Sequence, residues 1–549
     1  MPRVNLVGPA CGSGKLDAMR HAPAPCVIAL AVAALACDAA PRALHHRRDP
    51  GALVVAQAAD ITGLDLARVI DTESIEVGEI LFEGLTRWVP GTTDITAGLA
   101  TSWQVSPDGL RWTFALRPDV VFHDDRPLDA DAVVFSFARV IDPAHPSYVR
   151  GDDGLYWRAL LKDVRRVTAP DPAHVEIEVA HPYAPLLGEL AAFPIVSPAA
   201  VRTWGEAFNQ HPVGTGAFEL ESWDRGEQVV LRRFAHYWSA PPSLERIVFR
   251  VVVDARQRLV DLQSGAVDLA AGILPDEQSF VELHPDLVLH HKPSNALSYL
   301  AFNTLHPPYD DRRVRRALSH AVNKEPIVKL AYQGRAVAAE TPLPPGQWGY
   351  HLPATRYAYD PALAQRLLGE LTAAHAFDPT RIYKLYAPTT PRAYLSQPER
   401  VARYLQTALA QVGVQTELVL QPIRSHVASV SRGEHDLALI GWIGDTGDPD
   451  NFLYVLLHSD NAVPGPAQNI AFYRNPEVDA LLIRAQAGSN EAARSGLYAQ
   501  VQDLVAADAP WVPIAYSELV LAGRSDLEHV ILSPLGHPLY ALIRRKASP

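Results

Sequence analysis

The chain has 549 residues, of which 48% are hydrophobic and 20% are charged. This length exceeds what a single hydrophobic core usually supports, so we expect more than one lobe. The formal net charge is −12, without a long block of one sign, which disfavours nucleic acid as a partner.

Cysteine occurs only near the start of the chain. Cys11, Cys26 and Cys37 all precede residue 38. The body of the chain therefore has no disulfide framework, no thiolate metal site and no cysteine nucleophile.

The stretch that begins at Met19 resembles a secretory signal. A short basic start is followed by an apolar run over 27–35 and by a small residue before Cys37. We interpret residues 1–37 as an N-terminal extension with a signal or lipobox segment, Cys37 as the lipid attachment site, and 38–52 as a tether. A cleaved signal without lipid and a core helix remain alternatives, and so do Met1 and Met19 as the start.

Strand and helix patterns alternate through the rest of the chain, which predicts an α/β protein. In chain order, the patterns predict a helix over 130–141, strands over 175–179, 229–232 and 248–253, helices over 362–371 and 401–412, and a strand over 414–420.

The predicted helices carry start and stop signals. Asp129 and Asp360 stand where a helix cap is expected. Ser396 and Glu399 have the spacing of a capping box before the helix over 401–412, and Gly413 is placed to end that helix.

A phosphate-binding loop, a zinc-protease motif and a nucleophile elbow are absent from the sequence. Gly-Ser-Gly-Lys at 12–15 fails as a phosphate-binding loop, because Pro9 replaces the first glycine and Leu16 replaces the serine or threonine. No His-Glu-x-x-His or Gly-x-Ser-x-Gly pattern occurs. We therefore predict no catalytic residue, no metal site and no cofactor.

One acidic stretch, GWIGDTGDPDNF at 441–452, contains Asp445, Asp448 and Asp450. A calcium loop needs oxygen ligands at alternate positions, glycine at the sixth position and glutamate at the twelfth. Neither a loop that begins at Asp445 nor one that begins at Asp448 meets this requirement. A pair of glycosidase carboxylates stays formally open, without a second feature that supports it.

Several stretches, in order, resemble one known family. Among them are LFEGLTRW (81–88), HPVGTGAFEL (211–220), GVQTELVL (413–420) and the acidic stretch itself. The chain resembles the family-5 extracytoplasmic solute-binding proteins of ABC importers over residues 53–540. Within that family it is most similar to the dipeptide-binding branch, although the stretch at 459–482 is more compact than the pattern of that branch.

The resemblance implies a two-lobed α/β periplasmic-binding-protein fold with mixed sheets. It is a hinged clamp of the class II type, in the large three-subdomain form. Lobe I would comprise 53–294, with 517–549 returning to it, and lobe II would comprise 295–516. Two crossovers, near 287–301 and 516–524, would form the hinge.

The resemblance also implies a binding site for the two charged ends of a short peptide. Burying a zwitterion is costly unless each charge meets an opposite one. By resemblance, Asp445 holds the peptide ammonium, Arg392 holds its carboxylate, and Trp442, Gly444 and Tyr394 line the cleft. Asp448 and Asp450 are interpreted as structural, with Asp450 capping the helix that follows.

The implied function is capture of di- and tripeptides in the periplasm or cell envelope, and their delivery to ABC permease and ATPase subunits. The protein would be a monomer that contacts the membrane only through a lipid anchor, and it would not be an enzyme. Alternative cargoes are haem, a nickel chelate, a sugar, and longer or antimicrobial peptides. A peptide sensor or chaperone of the envelope is a further alternative; a hydrolase lacks a nucleophile and a metal.

Overall fold

The computed structural model describes residues 49–546, except Pro50, Ile70 and Ser489. The interpretations of residues 1–37 and of Cys37 lie outside the described residues, and so does most of the tether at 38–52. None of the helices within the described range is long and apolar enough to cross a membrane.

The strands, numbered in chain order, are β1 (Ala52–Gln57), β2 (Thr86–Trp88), β3 (Ile95–Ala97), β4 (Ala100–Val105), β5 (Arg111–Leu116), β6 (Val164–Asp171), β7 (His174–Val179), β8 (Phe218–Asp224), β9 (Gln228–Arg233), β10 (Arg246–Val251), β11 (Leu269–Ala271), β12 (Leu287–Phe302), β13 (Ala336–Ala338), β14 (Ile382–Pro388), β15 (Gln415–Gln421), β16 (Leu437–Ile443), β17 (Trp511–Arg524), β18 (Leu527–Glu528) and β19 (Arg544–Arg545).

The α-helices are α1 (Thr72–Leu81), α2 (Ala130–Ile141), α3 (Leu155–Leu160), α4 (Leu186–Ala192), α5 (Pro198–Trp204), α6 (Ala255–Ser264), α7 (Pro275–Leu283), α8 (Arg312–Ser319), α9 (Lys324–Tyr332), α10 (Pro361–Ala373), α11 (Pro398–Gln411), α12 (Ile423–Ser431), α13 (Asp450–Leu457), α14 (Pro476–Ala487) and α15 (Glu491–Asp508). Short 3-10 turns cover Gly151–Gly154, Gly205–Gln210, Ser459–Asn461 and Tyr540–Leu542.

One large mixed sheet organises the molecule. Its strand order is β15-β14-β16-β12-β17-β11-β1-β10-β9-β8, with β13 paired to β17. β1 is parallel to β10 and β11, and β14 is parallel to β15 and β16, whereas β12 and β17 run antiparallel to their neighbours. A separate antiparallel sheet has the order β4-β5-β7-β6.

β12 and β17 are the two long strands at the middle of the large sheet. They pair from Leu287 with Arg524 to Ala301 with Trp511, and the register breaks between Pro293 and Leu297. β16 pairs with one half of β12, and β11 pairs with the other end of β17. These strands therefore run from one half of the sheet into the other, at the segments predicted as the hinge. The lobe boundaries at 53–294 and 295–516 stay a prediction.

The hydrophobic residues form separate cores in the two halves. One core contains Leu53 and Phe249, and another surrounds Phe114 on the small sheet. Two more cores, which include Leu300 and Phe452, lie on β12, β14 and β16 and on the helices that cover them.

Most of the local predictions are confirmed. Asp129 and Asp360 accept hydrogen bonds from the first turns of α2 and α10, and all four predicted strands form within one or two residues of their expected ends. The capping box is wrong: α11 begins at Pro398 without a side-chain cap, and Ser396 instead donates to the carbonyl of Ala331. That carbonyl belongs to α9, so Ser396 contacts a residue remote in sequence and not the first turn of α11.

Candidate functional site

A cavity of about 870 Å³ lies between the two halves. One wall comes from 66–192 and 519–537, and the other mainly from 391–470. All five residues predicted to contact a ligand line this cavity, namely Arg392, Tyr394, Trp442, Gly444 and Asp445. A volume of this size is typical of a small-molecule site.

Asp445 follows the end of β16 and is half-buried in the cavity wall. The Asn451 side chain accepts hydrogen bonds from the Asp445 backbone N–H and from the Trp442 indole N–H, both at 3.0 Å, which fixes the loop between β16 and α13. No ion pair within 4 Å joins Asp445 to a cationic side chain in the part of the chain that the structure describes. Burial therefore raises the pKa of Asp445 to about 6.

Arg392 stands on the loop between β14 and α11, where its side chain is exposed. The loop is tightened by two backbone hydrogen bonds between Arg392 and Leu395, of 3.0 and 2.8 Å. Burial raises the pKa of Glu73 on α1, and the Arg392 charge opposes that rise. The exposed guanidinium of Arg392 is accessible to an incoming anion.

Tyr394 and Trp442 have different surroundings. Tyr394 is only 6% exposed and packs in the core, and its carbonyl accepts a hydrogen bond from the Tyr332 hydroxyl at 2.5 Å. Trp442 is half-buried and its indole N–H is held by Asn451. Tyr394 therefore contributes mainly packing, and Trp442 offers more surface to the cavity.

Gly444 stands where backbone and side chains approach closely. A Cβ atom at this position would lie 2.3 Å from the Asn295 side-chain nitrogen and 2.6 Å from the Phe452 ring. The Gly444 N–H also donates to the Asn295 carbonyl at 2.8 Å. This position therefore requires glycine for steric reasons.

We expect Gly444→Ala to lower the free energy of unfolding by about 1–3 kcal/mol, as overpacking does. The measurement is urea unfolding. Gly369→Ala is the control, because Gly369 lies within α10 with no atom within 4 Å of an added Cβ; it should raise stability by about 0.5–1 kcal/mol. Equal stabilities of the two variants would contradict the steric account.

Asp448 and Asp450 are held by other protein groups. Arg494 donates two 2.8 Å hydrogen bonds to the Asp448 carboxylate, and Gln486 donates one of 3.0 Å to Asp450. The Asp448 side chain also accepts from the Asp450 N–H at 3.0 Å. Both residues have structural contacts. The expectation that Asp450 caps the following helix is wrong, because Asp450 lies inside α13 and Asp448 accepts the N–H bond.

Sequence reasoning missed the opposite wall of the cavity. It includes Tyr156 and Trp157 from α3, Glu79 from α1, and His537 near the C-terminus. Glu79 and His537 form an ion pair. Although burial opposes the imidazolium charge, the Glu79 carboxylate raises the pKa of His537 to about 9. No local motif marks these residues, because only the fold brings them together.

Among the described residues, no group of three or more histidine, cysteine, aspartate or glutamate side chains has the arrangement of a metal site. His537 is the histidine in the cavity lining, and it is held by Glu79. The cavity lining combines charged side chains, such as Arg392 and Asp445, with apolar ones, such as Trp442 and Ile440.

Comparison with known proteins places the chain in a family. The family model for bacterial extracellular solute-binding proteins, family 5 Middle, matches residues 94–463. The chain is 33% identical to Heme-binding protein A of Haemophilus influenzae over 502 residues, 87% of this chain and 89% of that protein. It is 32% identical to the dipeptide-binding protein of Escherichia coli over 475 residues, 83% of this chain and 87% of that protein.

Solved structures show the same architecture. HbpA2 from Haemophilus parasuis matches with a TM-score of 0.82 and 27% identity, covering 90% of this chain and 100% of that one. The dipeptide binding protein from Pseudoalteromonas sp. SM9913, in complex with Met-Leu, matches with a TM-score of 0.77, 27% identity and the same coverage. The predicted two-lobed periplasmic-binding-protein fold is confirmed. The chain belongs to the bacterial extracellular solute-binding proteins of family 5.

Proposed function

We propose that this protein captures short peptides, of two or three residues, and delivers them to the permease of an ABC importer. The observation that carries the proposal is the pair of opposite charges in one cavity wall. Asp445 is a half-buried acid without a cationic partner among the described residues, and Arg392 is an exposed arginine. Relatives whose names specify di- or tripeptides support this choice of ligand.

The chemistry of a free peptide matches this pair. Its ammonium group would replace the water lost by Asp445, and its carboxylate would accept two parallel hydrogen bonds from the planar guanidinium of Arg392. Trp442, Gly444 and Tyr394 would line the space between the two ends. The binding energy would come from charges common to every free peptide, so the protein would hold peptides of different sequence.

Haem is disfavoured as cargo at this cavity, although one relative is named for haem. Iron is bound by a neutral imidazole. The histidine in the described lining, His537, is ion-paired with Glu79 and its pKa is raised to about 9. It is therefore protonated at neutral pH.

The proposal includes a cellular location, an oligomeric state and a lipid anchor. Extracellular solute-binding proteins act outside the cytoplasm. We place this one in the periplasm or cell envelope, as a monomer tethered through lipid on Cys37.

Arg392→Ala is expected to weaken binding of a free dipeptide by about 10- to 150-fold, because hydrogen bonds to a charged group contribute about 1.5–3 kcal/mol. Isothermal titration calorimetry measures this. The same dipeptide with an amidated C-terminus should bind the variant and the wild type with equal affinity. Arg403→Ala is the matched control, since Arg403 is an exposed arginine of α11 outside the cavity lining. A loss of the same size in Arg403→Ala would refute the role of Arg392.

Binding should also depend on pH through Asp445. The carboxyl has a pKa of about 6 without ligand, and only its ionised form attracts ammonium. Below pH 6 the protonated form accumulates, so affinity falls as pH falls. We expect the affinity ratio between wild type and Asp445→Asn to decrease about tenfold from pH 7.5 to pH 5, where the peptide carboxylate stays ionised. A ratio that is constant over this range would contradict the assignment.

A further inference from the structure

Apart from its charged residues, the cavity lining includes an apolar group that we call the apolar arm. We use this name for the part lined by Ile423 and Val427 of α12, Ile440 of β16, Leu456 of α13 and Ile470. Val427 is 42% exposed, so the arm presents apolar surface that the protein itself leaves uncovered. The arm lies beside 465–470, within the stretch that is more compact than the branch pattern.

The arm is continuous with the proposed ammonium site. Ile440, Trp442 and Gly444 are alternate residues of β16 and its end, so they lie along one face of the strand. Four residues of strand span about 13 Å, which exceeds the two-residue backbone of a dipeptide. A dipeptide anchored at Asp445 therefore reaches the arm with a side chain and not with its backbone.

The charged side chains of the described cavity lining lie outside the apolar arm. The charged side chains of the described lining are Arg392, Asp445, Glu79 and His537. Glu79 and His537 neutralise each other, and the other two are assigned to the peptide ends. A charged peptide side chain that entered the arm would lose its water without meeting an opposite charge.

We propose that the apolar arm selects peptides with a bulky aliphatic or aromatic side chain. The inference rests on the proposed peptide-binding function and adds a substrate class to it. Val427, Ile440 and Ile470 determine this specificity by contact with that side chain.

The test is calorimetry of the full chain with Ala-Ala, Ala-Leu, Leu-Ala, Ala-Asp and Ala-Lys. We expect one of the two leucine peptides to bind at least about tenfold more tightly than Ala-Ala, because burying each added CH2 group is favourable. The charged peptides should gain nothing. If Ala-Ala binds and neither leucine peptide binds more tightly, the arm inference fails and peptide binding stands. If no peptide binds, the proposed function itself fails.

The variant Val427→Asp tests whether the apolar arm causes the higher affinity for a leucine peptide. It should abolish the gain from leucine, so that Ala-Leu and Leu-Ala bind this variant no more tightly than Ala-Ala does. Val463→Asp is the matched control, because Val463 is a valine of similar exposure, 48%, outside the cavity lining. A full leucine gain in Val427→Asp would overturn the assignment of the arm.

A second inference comes from a buried contact between the two halves. The Ala184 N–H donates to the Gln486 carbonyl at 2.8 Å, and the Trp88 indole donates to the Thr446 carbonyl at 3.1 Å. A Cβ added to Gly188 would lie 2.8 Å from that same Thr446 oxygen. This contact, which we call the acidic contact, brings α4 against the loop that carries Asp445.

The acidic contact encloses more negative than positive groups. Glu189 of α4 faces Asp448 and Asp450, and Arg494 forms its buried ion pair with Asp448. The Tyr183 hydroxyl donates to one Glu189 oxygen at 2.5 Å, and Gln486 donates to one Asp450 oxygen. The second oxygens of Glu189 and Asp450 are buried without a hydrogen-bond partner in the described chain.

Other charges near the acidic contact are engaged elsewhere. Lys162 lies over the Tyr454 ring at 5.2 Å, and Asp163 pairs with His181 at 3.3 Å. Burial and like charge raise the pKa of Glu189 well above its usual range, and burial together with Asp448 raises that of Asp450 to about 7. The two carboxyls cannot both be ionised at low cost while they are buried together.

We infer that the acidic contact takes up a proton when it forms, so that acid favours the closed arrangement of the two halves. The carboxyls of Glu189 and Asp450 would ionise in water when the contact opens. A group with a raised pKa in the closed form binds more protons there, and closure is therefore favoured as pH falls.

Small-angle X-ray scattering of the ligand-free full chain tests this inference. The reference protein and each variant all carry Asp445→Asn, which removes a carboxyl whose pKa burial raises to about 6. The radius of gyration should decrease from pH 8 to pH 5.5 with Glu189 and Asp450 present, decrease less in Glu189→Gln, and stay constant when Glu189→Gln is combined with Asp450→Asn. Asp450→Asn alone should behave as Glu189→Gln alone does and serves if Glu189→Gln does not fold. A radius that is independent of pH with Glu189 and Asp450 present, or an unaltered response in the variants, would overturn the inference.

Discussion

Asp445→Asn is expected to lower the affinity for a free dipeptide by about 30-fold to several thousand-fold. Removing one partner of a buried, hydrogen-bonded charge pair costs about 2–5 kcal/mol. Asparagine keeps the shape of the side chain, but it removes the charge and presents an N–H donor where the ammonium needs an acceptor. The Asn451 hydrogen bonds that shape the loop use the Asp445 backbone and remain available.

Two controls separate the Asp445 charge from a general disturbance. An N-acetylated dipeptide has no ammonium, so it should bind Asp445→Asn and the wild type equally. Asp131→Asn changes an exposed aspartate in the first turn of α2, outside the cavity lining, and should leave the affinity unchanged. Titration calorimetry that gives wild-type affinity for Asp445→Asn would rule out the ammonium site.

Arg494→Met is expected to lower the free energy of unfolding by about 3–5 kcal/mol. The guanidinium donates to both Asp448 oxygens and to the Ala485 carbonyl at 2.9 Å, and it lies 4.9 Å from the Trp348 ring centre. Its loss leaves Asp448 buried without its cation, beside Asp450. Methionine preserves much of the volume, so the effect measures the charge more than the packing.

Urea unfolding measures this loss of stability, and a variant that removes an exposed ion pair is the control. Arg246→Met removes a pair with Glu221 in which the two side chains are 44% and 34% exposed. Surface pairs contribute about 0–1 kcal/mol, so the control should change stability little. If both variants lose the same amount of stability, the ion pair between Arg494 and Asp448 is not what stabilises this region.

The resemblance to a family assigned the site residues of one wall, and their proximity in sequence explains why three of them lie together. The strand at 437–443 and the acidic stretch after it placed Asp445, Gly444 and Trp442 together, because they are neighbours in sequence. Arg392 depended on the resemblance to a family, since no pattern links it to Asp445 across 53 residues. The structure puts both in one cavity.

The remaining features are not local. Glu79, Tyr156 and His537 meet in one wall from distant parts of the chain, and none carries a motif. Ser396 has the spacing of a cap relative to Glu399, but in the fold its hydroxyl donates to the Ala331 carbonyl of α9. Asp448 rather than Asp450 accepts the helix N–H, because Gln486 and Arg494 fix both carboxylates from α14 and α15.

The central claim is that opposite charges hold the two ends of a free peptide. Calorimetry of the wild-type protein with Ala-Leu, its N-acetyl form and its C-amide form tests it most directly. We predict that each blocked form binds at least about tenfold more weakly than the free peptide. Equal affinity of the free and blocked forms would contradict the clamp.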